Sequence, residues 1–449
     1  MRHRRSLPSQ ETIAQWLPQQ RWFGAKARRI RHVTFADIVP MGPGVVLLAD
    51  VELEGGGGER YAVPLLTGSG IVDALDNVEF VRALLALLAR AGAVPGDRGE
   101  LCGVPAAGLA ERWPQGPPAD LTVRRIGGEQ SNTSLVLGEA FVLKHLRKLA
   151  EGLNPEAEIP RFLTERTGFR NTPRLAGHVE YRDGRGRITT LAVVQALIPD
   201  AIDGWQWVLA RLREPNGRGV TVQALRRLGE RTGALHRALA SEPSDPAFAP
   251  EPITAIDVAS WTDAVVRQLA SARAALPGEN ITADASAVRA GLARLAGRRK
   301  IRHHGDFHLG QTLYQPAAGD WMIIDFEGEP LRPLEERRRK HAAPRDVAGM
   351  LRSIDYAAAS AQDAATSLGD WKTDAARAFE DGYRQAAGIA SFLPESREAF
   401  DDVVAVFELE KAAYEIVYEA NNRPAWIHIP KRGLLTAAAR LSRNEAGAA

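Results

Sequence analysis

His304-Gly305-Asp306-Phe307-His308-Leu309-Gly310-Gln311, followed by Trp321-Met322-Ile323-Ile324-Asp325-Phe326-Glu327-Gly328, is the stretch on which the reading of this chain turns. Two aspartates stand on either side of a short hairpin, each beside an apolar run that can bury its backbone. An amide side chain, Gln311, follows the first aspartate by five residues. Phosphoryl transfer asks for such a set, because the protein mainly positions the reactants and stabilises charge. One carboxylate, Asp306, takes or orients the proton of an acceptor hydroxyl. A second, Asp325, together with the Gln311 carbonyl, holds Mg²⁺ through hard oxygens against the phosphates. Aspartates in turns also cap turns and form ion pairs, and it is the joint spacing that favours chemistry here. His303, His304 and His308 invite a zinc reading, but Gly305 and Leu309-Gly310 point to a loop and no cysteine assists. We expect His304 to be structural and His308 to lie near the substrate.

The spacing is that of a kinase catalytic loop, with an Asp-Phe-x-Gly metal segment downstream. Gln311 stands where protein kinases carry Asn, and Glu327 intervenes before the glycine. A kinase also needs a phosphate cover and a lysine. Gly127-Gly128-Glu129-Gln130-Ser131-Asn132-Thr133-Ser134 falls between two expected strands, where a nucleotide-covering hairpin turn belongs. Backbone N–H groups across Gln130 to Asn132 and the hydroxyls of Ser131, Thr133 and Ser134 suit phosphate oxygens, although the spacing is not G-x-G-x-x-G. Lys144 lies inside the apolar run Phe141-Val142-Leu143-Lys144, an otherwise unexplained cost. Glu158 on the next helix is its expected partner, with Glu156 as the rival. Gln195 ends the last strand of that region, where a hinge would offer groups to adenine.

Working outward, 449 residues exceed one ordinary core, so two or three lobes are expected. Hydrophobic residues make up 45% and charged residues 25%, the globular average, which excludes a disordered chain. A net charge of +2, with both signs interspersed, gives no field for nucleic acid. The single cysteine, Cys102, excludes an internal disulfide and fits a reducing cytoplasm. The basic Met1 to Arg5 segment leads into a capped helix rather than an apolar signal core, and no run is long enough to span a bilayer. A cytoplasmic location, with no membrane or nucleic-acid partner, is the expectation.

The pattern predicts a helix over Ser9–Leu17, then strands at Val33–Val39, Val45–Leu53 and Arg60–Leu66, and a helix over Asn77–Ala91. Val94 to Pro118, rich in Gly and Pro, reads as a hinge or lobe boundary. Further strands are expected near Leu121–Ile126, Ser134–Leu137, Phe141–Leu146 and Thr189–Leu197, with a helix at Pro155–Glu165. Beyond Pro199 the chain reads as helical, at Thr221–Leu239, Ala255–Ala275, Ala285–Ala296, Thr373–Gln385 and Glu398–Glu419. The expected fold class is α+β: a bilobal protein-kinase-like fold with a cap subdomain at 1–90, a β-rich N-lobe at 91–198 and a helical C-lobe at 199–449.

With these residues in view, the chain resembles the bacterial maltokinases, relatives of aminoglycoside and choline kinases. The likeness runs through Gln20-Arg21-Trp22-Phe23-Gly24, His304 to Gln311, Asp325-Phe326-Glu327-Gly328-Glu329-Pro330, Arg345 to Leu351, Tyr414 to Glu419 and Arg423-Pro424. It implies ATP- and Mg²⁺-dependent phosphorylation of maltose to maltose 1-phosphate, an entry compound for α-glucan (glycogen) synthesis. It also implies a cap packed on the N-lobe, substrate contacts in the Glu329 and Arg345 segments, and association with trehalose synthase. Glucosamine kinases share the architecture, so an amino-sugar or aminoglycoside kinase is the alternative. A catalytically silent sugar- or partner-binding module is the second.

Independent support for a sugar comes from the last helical stretch. Glu408, Lys411, Glu415 and Glu419 recur at spacings of three or four, with Tyr414 and Tyr418 on an adjacent stripe. Planar aromatic faces and carboxylates that accept hydroxyl bonds are what a sugar needs, and Trp426 adds to them. Ordinary i,i+4 ion pairs along a helix are the competing reading.

Overall fold

The computed structural model describes residues 7–68, 70–127, 131–278, 284–361 and 368–446. The chain divides into two compact units, Met1–Pro199 with Leu331–Glu336, and Asp200–Pro330 with Arg337–Ala449.

In the first unit α1 (Gln10–Trp16) starts at Ser9, whose hydroxyl accepts from the Thr12 amide at 3.2 Å. Ile13 and Leu17 bury their side chains with Trp22 and Phe23, and both of those rings lie within 6 Å of Tyr61. β1 (Ile30–Met41), β2 (Gly44–Leu53) and β3 (Gly58–Leu66) form an antiparallel meander. α2 (Val78–Ala89) follows, capped by Asn77, and buries its stripe Phe80, Val81, Leu84, Leu85 and Leu88.

The Val94–Pro118 stretch is not a hinge. It forms β4 (Ala93–Pro95), β5 (Gly99–Pro105) and α3 (Ala107–Arg112). Gly103 serves close packing rather than flexibility: a Cβ there would come within 2.3 Å of the Leu87 carbonyl oxygen on α2. After β6 (Val123–Arg125), β7 (Asn132–Leu137), β8 (Phe141–Leu146) and the short β9 (Lys148–Leu149) comes α4 (Pro155–Arg166). β10 (Leu175–Asp183), absent from the expected elements, and β11 (Ile188–Ala196) complete a seven-stranded antiparallel sheet, ordered β4-β5-β10-β11-β8-β7-β6. β9 adds to the edge of the first sheet beside β3. A single apolar cluster joins Val39, Met41, Leu48 and α2 to Leu101, Leu143 and Val194, so the first meander and the larger sheet share one core.

A fully buried arginine reinforces that junction. Arg147, between β8 and β9, has its guanidinium 4.7 Å from the Trp22 ring centre, bonds the Asp73 carboxylate, and donates from Nε to the Thr133 hydroxyl at 2.9 Å.

The second unit opens with β12 (Ile202–Asp203), α5 (Gly204–Leu212) and α6 (Gly217–Leu239). Next come β13 (Glu251–Pro252), α7 (Ala255–Ala275), α8 (Ala285–Ala293) and β14 (Arg299–Lys300), which pairs with β13. β15 (Thr312–Gln315) and β16 (Asp320–Ile323) are the anticipated hairpin. The single turn α9 (Leu334–Arg337) falls almost wholly in the Leu331–Glu336 segment of the first unit, and the second unit continues with α10 (Pro344–Ala361), α11 (Trp371–Ala387), α12 (Arg397–Asn422) and α13 (His428–Ala446). α10 and α13 were not singled out by periodicity. Thirteen of the eighteen residues of α10 are buried, so polar positions such as Asp346, Arg352, Ser353 and Asp355 lie inside and blur its apolar stripe. Among the described residues no helix is long and apolar enough to cross a membrane.

Candidate active site

The loop that carries Asp306 is held from one side by α10. Asp346 accepts from the His304 amide at 2.7 Å and the Gly305 amide at 3.0 Å, and Ser353 Oγ accepts from the Leu309 amide at 3.1 Å. Between them Gly349 lets the helix approach: a Cβ there would lie 2.6 Å from the Phe307 carbonyl oxygen. Positions 346, 349 and 353 fall on one helical face. Asp346 also accepts from His236 Nε2 at 3.0 Å, while the Tyr383 hydroxyl lies 2.9 Å from His236 Nδ1. Burial opposes the Asp346 charge, but His303 nearby and the bond from His236 outweigh it and hold this carboxyl well below its usual range.

His304 is structural, as expected. Its Nε2 lies 2.9 Å from the Ile324 carbonyl oxygen, tying the catalytic loop to the segment before Asp325. His308 is half-buried, and its Nδ1 accepts the Gly310 amide at 3.1 Å; desolvation pushes its pKa down against the opposing Asp306 charge. The Gly310 turn ends at Gln311, whose backbone carbonyl accepts from the Ile324 amide at 3.0 Å. Thr312 pairs with Ile323, so Gln311 and Asp325 emerge at the same end of the hairpin. Asp325 itself has φ 65°, a conformation non-glycine residues rarely adopt and one concentrated at functional sites.

A divalent cation fits what these two residues offer. Both present hard oxygens, and among the described residues no group of three or more His, Cys, Asp or Glu is arranged to cage a metal by itself. Mg²⁺ commonly takes one or two protein oxygens and completes its shell with phosphates and water.

α12 lies across this loop and supplies a cation. Lys411 Nζ is 3.0 Å from Asp306 Oδ1 and 3.5 Å from Glu329 Oε1. Its neighbour Glu410 takes Arg345 Nε at 3.2 Å, and Arg345 also reaches Glu329 at 3.7 Å. Burial works against the Arg345 charge, but Glu410 and Glu329 prevail and its pKa is raised. Further along, Glu415 is gripped by Arg352 through Nε at 3.0 Å and Nη2 at 2.8 Å. Glu408 pairs with Arg440, and Glu419 takes Arg423 together with the Tyr356 hydroxyl. Apart from Glu419–Arg423, these charges of α12 pair across the fold, not along the helix.

The aromatic stripe is present. Tyr414 and Tyr418 have nearly parallel rings with centres 6.5 Å apart, and Tyr356 faces Trp426 at 6.3 Å. Arg423 lies over both Tyr418 and Trp426. Thus Asp306, His308, Gln311, Asp325, Glu329, Arg345, Tyr414, Glu415 and Tyr418 all belong to the second unit. Asp346, His236, Arg352 and Lys411 are additions that the sequence did not assign; only the 346/349/353 spacing could have signalled the first.

The remaining expected residues lie in the first unit. Lys144 on β8 is directly opposite Ser134 on β7 and Val193 on β11. Glu158 is buried in the first turn of α4, which Asn154 caps. Gln195 Nε2 donates to Glu156 Oε1 at 3.2 Å. Gln130 lies outside the described residues, and Ser131 precedes β7, which begins at Asn132. Thr133 was expected to offer its hydroxyl to phosphate. That hydroxyl is buried and engaged by Arg147, because the strand starts earlier than expected.

Comparison with known proteins agrees with this layout. Residues 16–88 match the maltokinase N-terminal cap domain, and residues 122–329 match the phosphotransferase enzyme family. A glucosamine kinase of Streptacidiphilus jiangxiensis is 32% identical over 84% of this chain and 85% of its own length. A glucosamine kinase of Mycolicibacterium smegmatis is 30% identical over 69% of this chain and 78% of its own. Among solved structures, a glucosamine kinase in complex with glucosamine, ADP and inorganic phosphate shares the fold, with a TM-score of 0.66 at 24% identity. That match covers 96% of this chain and 99% of the other.

Proposed function

We propose, from the premise that this chain belongs to the phosphotransferase enzyme family and carries its maltokinase N-terminal cap domain, that it phosphorylates glucosamine with ATP. At the coarser level the chain is a sugar or amino-sugar kinase, a phosphotransferase with an alcohol group as acceptor. The observation that carries the reaction is Asp306, set on a loop pinned by Asp346 and beside the Gln311–Asp325 end of the hairpin.

On this reading Asp306 receives the proton of the acceptor hydroxyl as it attacks the terminal phosphoryl group. Gln311 and Asp325 would hold Mg²⁺, which supplies charge neutralisation on the phosphate oxygens when bound. Lys144, steadied by Glu158, engages the nucleotide phosphates together with Gln130, Ser131, Asn132 and Ser134, with Gln195 near adenine. His308, Glu329, Arg345, Tyr414, Glu415 and Tyr418 surround the sugar. Support for glucosamine over maltose comes from two curated relatives, both glucosamine kinases.

Maltose is the second reading, favoured by the cap-domain match and by the parallel Tyr414 and Tyr418 rings that a second hexose could stack on. Glycogen synthesis and a trehalose synthase partner would follow only from that reading. The test is an ATP-coupled assay across glucosamine, maltose, glucose and kanamycin, with Asp306→Asn alongside. Glucosamine should give the highest kcat/KM, and Asp306→Asn should lose turnover while still binding nucleotide. Turnover of maltose alone would replace the acceptor. Undiminished activity in Asp306→Asn would remove the mechanism.

A further inference from the structure

We propose that Lys411 is a positioning residue for the phosphoryl transfer, fixing one oxygen of Asp306 so that the other stays available to the acceptor hydroxyl. The inference deepens the proposed function and rests on reading Asp306 as the proton acceptor.

Three observations converge on it. Lys411 ties together three separated segments: the catalytic loop through Asp306, the metal segment through Glu329, and α12, which carries it. Among the described residues it is the one ion-pair partner of Asp306. The other cations nearby are committed elsewhere, Arg345 to Glu410 and Glu329, and Arg352 to Glu415 and Asp355. His308, two residues beyond Asp306, has its pKa pushed down by desolvation, which disfavours a second cation there.

The ammonium is also held firmly. Its stem is packed so that the side chain is only 23% exposed, and the Tyr414 ring centre lies 5.2 Å from Nζ. Burial disfavours the charge, but Asp306, Glu329 and Glu415 outweigh it and keep the amine protonated well past neutral pH. An ammonium has three N–H donors; two are directed to the Asp306 and Glu329 carboxylates. A carboxylate held at one oxygen by a fixed cation loses its rotation about χ2, which is the preorganisation that catalysis by positioning requires.

The rival role, a direct sugar ligand, predicts a different kinetic pattern, so the test is a split between kcat and KM. Lys411→Met keeps length and bulk without charge, Lys411→Gln keeps a donor, and Lys411→Arg keeps the charge. Each is assayed beside Asp306→Asn, with melting temperature and nucleotide affinity measured on the same preparations. We expect Lys411→Met to lower kcat on the order of 100-fold, the scale for losing one fixed electrostatic group. The KM values for sugar and ATP should stay within about threefold, and Lys411→Arg should recover most of the lost rate. If Lys411→Met fails to fold, Lys411→Gln is read in its place with the same expectation. A raised sugar KM with kcat unchanged, or wild-type kinetics in both neutral variants, would overturn the proposal while leaving Asp306 in its role. Activity retained in Asp306→Asn would instead remove the underlying reading.

Discussion

Replacing Asp346 with Asn tests whether the catalytic loop owes its place to a carboxylate it never exposes. Asp346 is buried and takes three N–H groups, from His304 at 2.7 Å, Gly305 at 3.0 Å and His236 at 3.0 Å. One of its oxygens, Oδ2, takes two of them, and Oδ1 takes the third. An asparagine has one such oxygen, so whichever way the amide turns at least one buried N–H meets an NH₂ group. Each charge-assisted bond of this kind contributes about 1.5–3 kcal/mol, and losing a buried charged partner costs about 3–5 kcal/mol in all. Asp346→Asn should therefore lose about 3–5 kcal/mol at pH 7, seen as a lower urea midpoint at unchanged slope. A loop displaced by an ångström should also lower kcat on the order of 100-fold. The pH dependence follows from the depressed folded pKa. The stability Asp346 contributes is complete above the unfolded carboxylate value, about 3.9, and is lost as pH falls below it. The gap between wild type and variant should thus be widest at pH 7 and shrink below about pH 4. A loss under about 1 kcal/mol at pH 7, with kcat within threefold, or a gap that widens on acidification, would refute the reasoning.

Two further perturbations probe the scaffold. Burial, then the Glu408 and Asp401 charges, raise Glu380 to about 7. Stability from its protonated form is present below the unfolded carboxylate value and is lost as pH rises through about 7. Glu380→Gln should match wild type near pH 5 and exceed it by roughly 1–2 kcal/mol at pH 8, so equal melting shifts at both pH values would contradict it. Arg147→Met should cost about 3 kcal/mol or more in chemical denaturation, because Asp73 and the Thr133 hydroxyl lose a buried donor; an unchanged midpoint would show that this buried cation is dispensable.

Much of the candidate site was legible because its residues concentrate in short contiguous segments. Asp306, Gln311 and Asp325 are read from spacing alone, and the hairpin between them is local in sequence. The α12 stripe was legible as a pattern but not in its pairing. Glu408, Lys411 and Glu415 share a face at helical spacing, a geometry equally suited to i,i+4 pairs, and their partners lie 32, 105 or 63 residues away. Val94–Pro118 misled because glycine and proline signal turns by default, whereas Gly103 is there to admit the α2 backbone. β10 went unseen although it alternates: Val179 and Tyr181 take one face, and His178 and Glu180, 3.2 Å apart, take the other, so a polar face that is in fact buried reads as a solvated loop.

By itself the sequence determined the α+β class and a phosphotransferase-type reaction, and it put forward Asp306, Gln311, Asp325 and Lys144 as candidate groups, since these follow from local period and spacing. The tertiary structure decided which charges meet. An ion pair between residues 306 and 411, or a carboxylate at 346 gripping amides at 304 and 305, depends on how α10 and α12 pack over a loop. No pattern within a few residues encodes that distance.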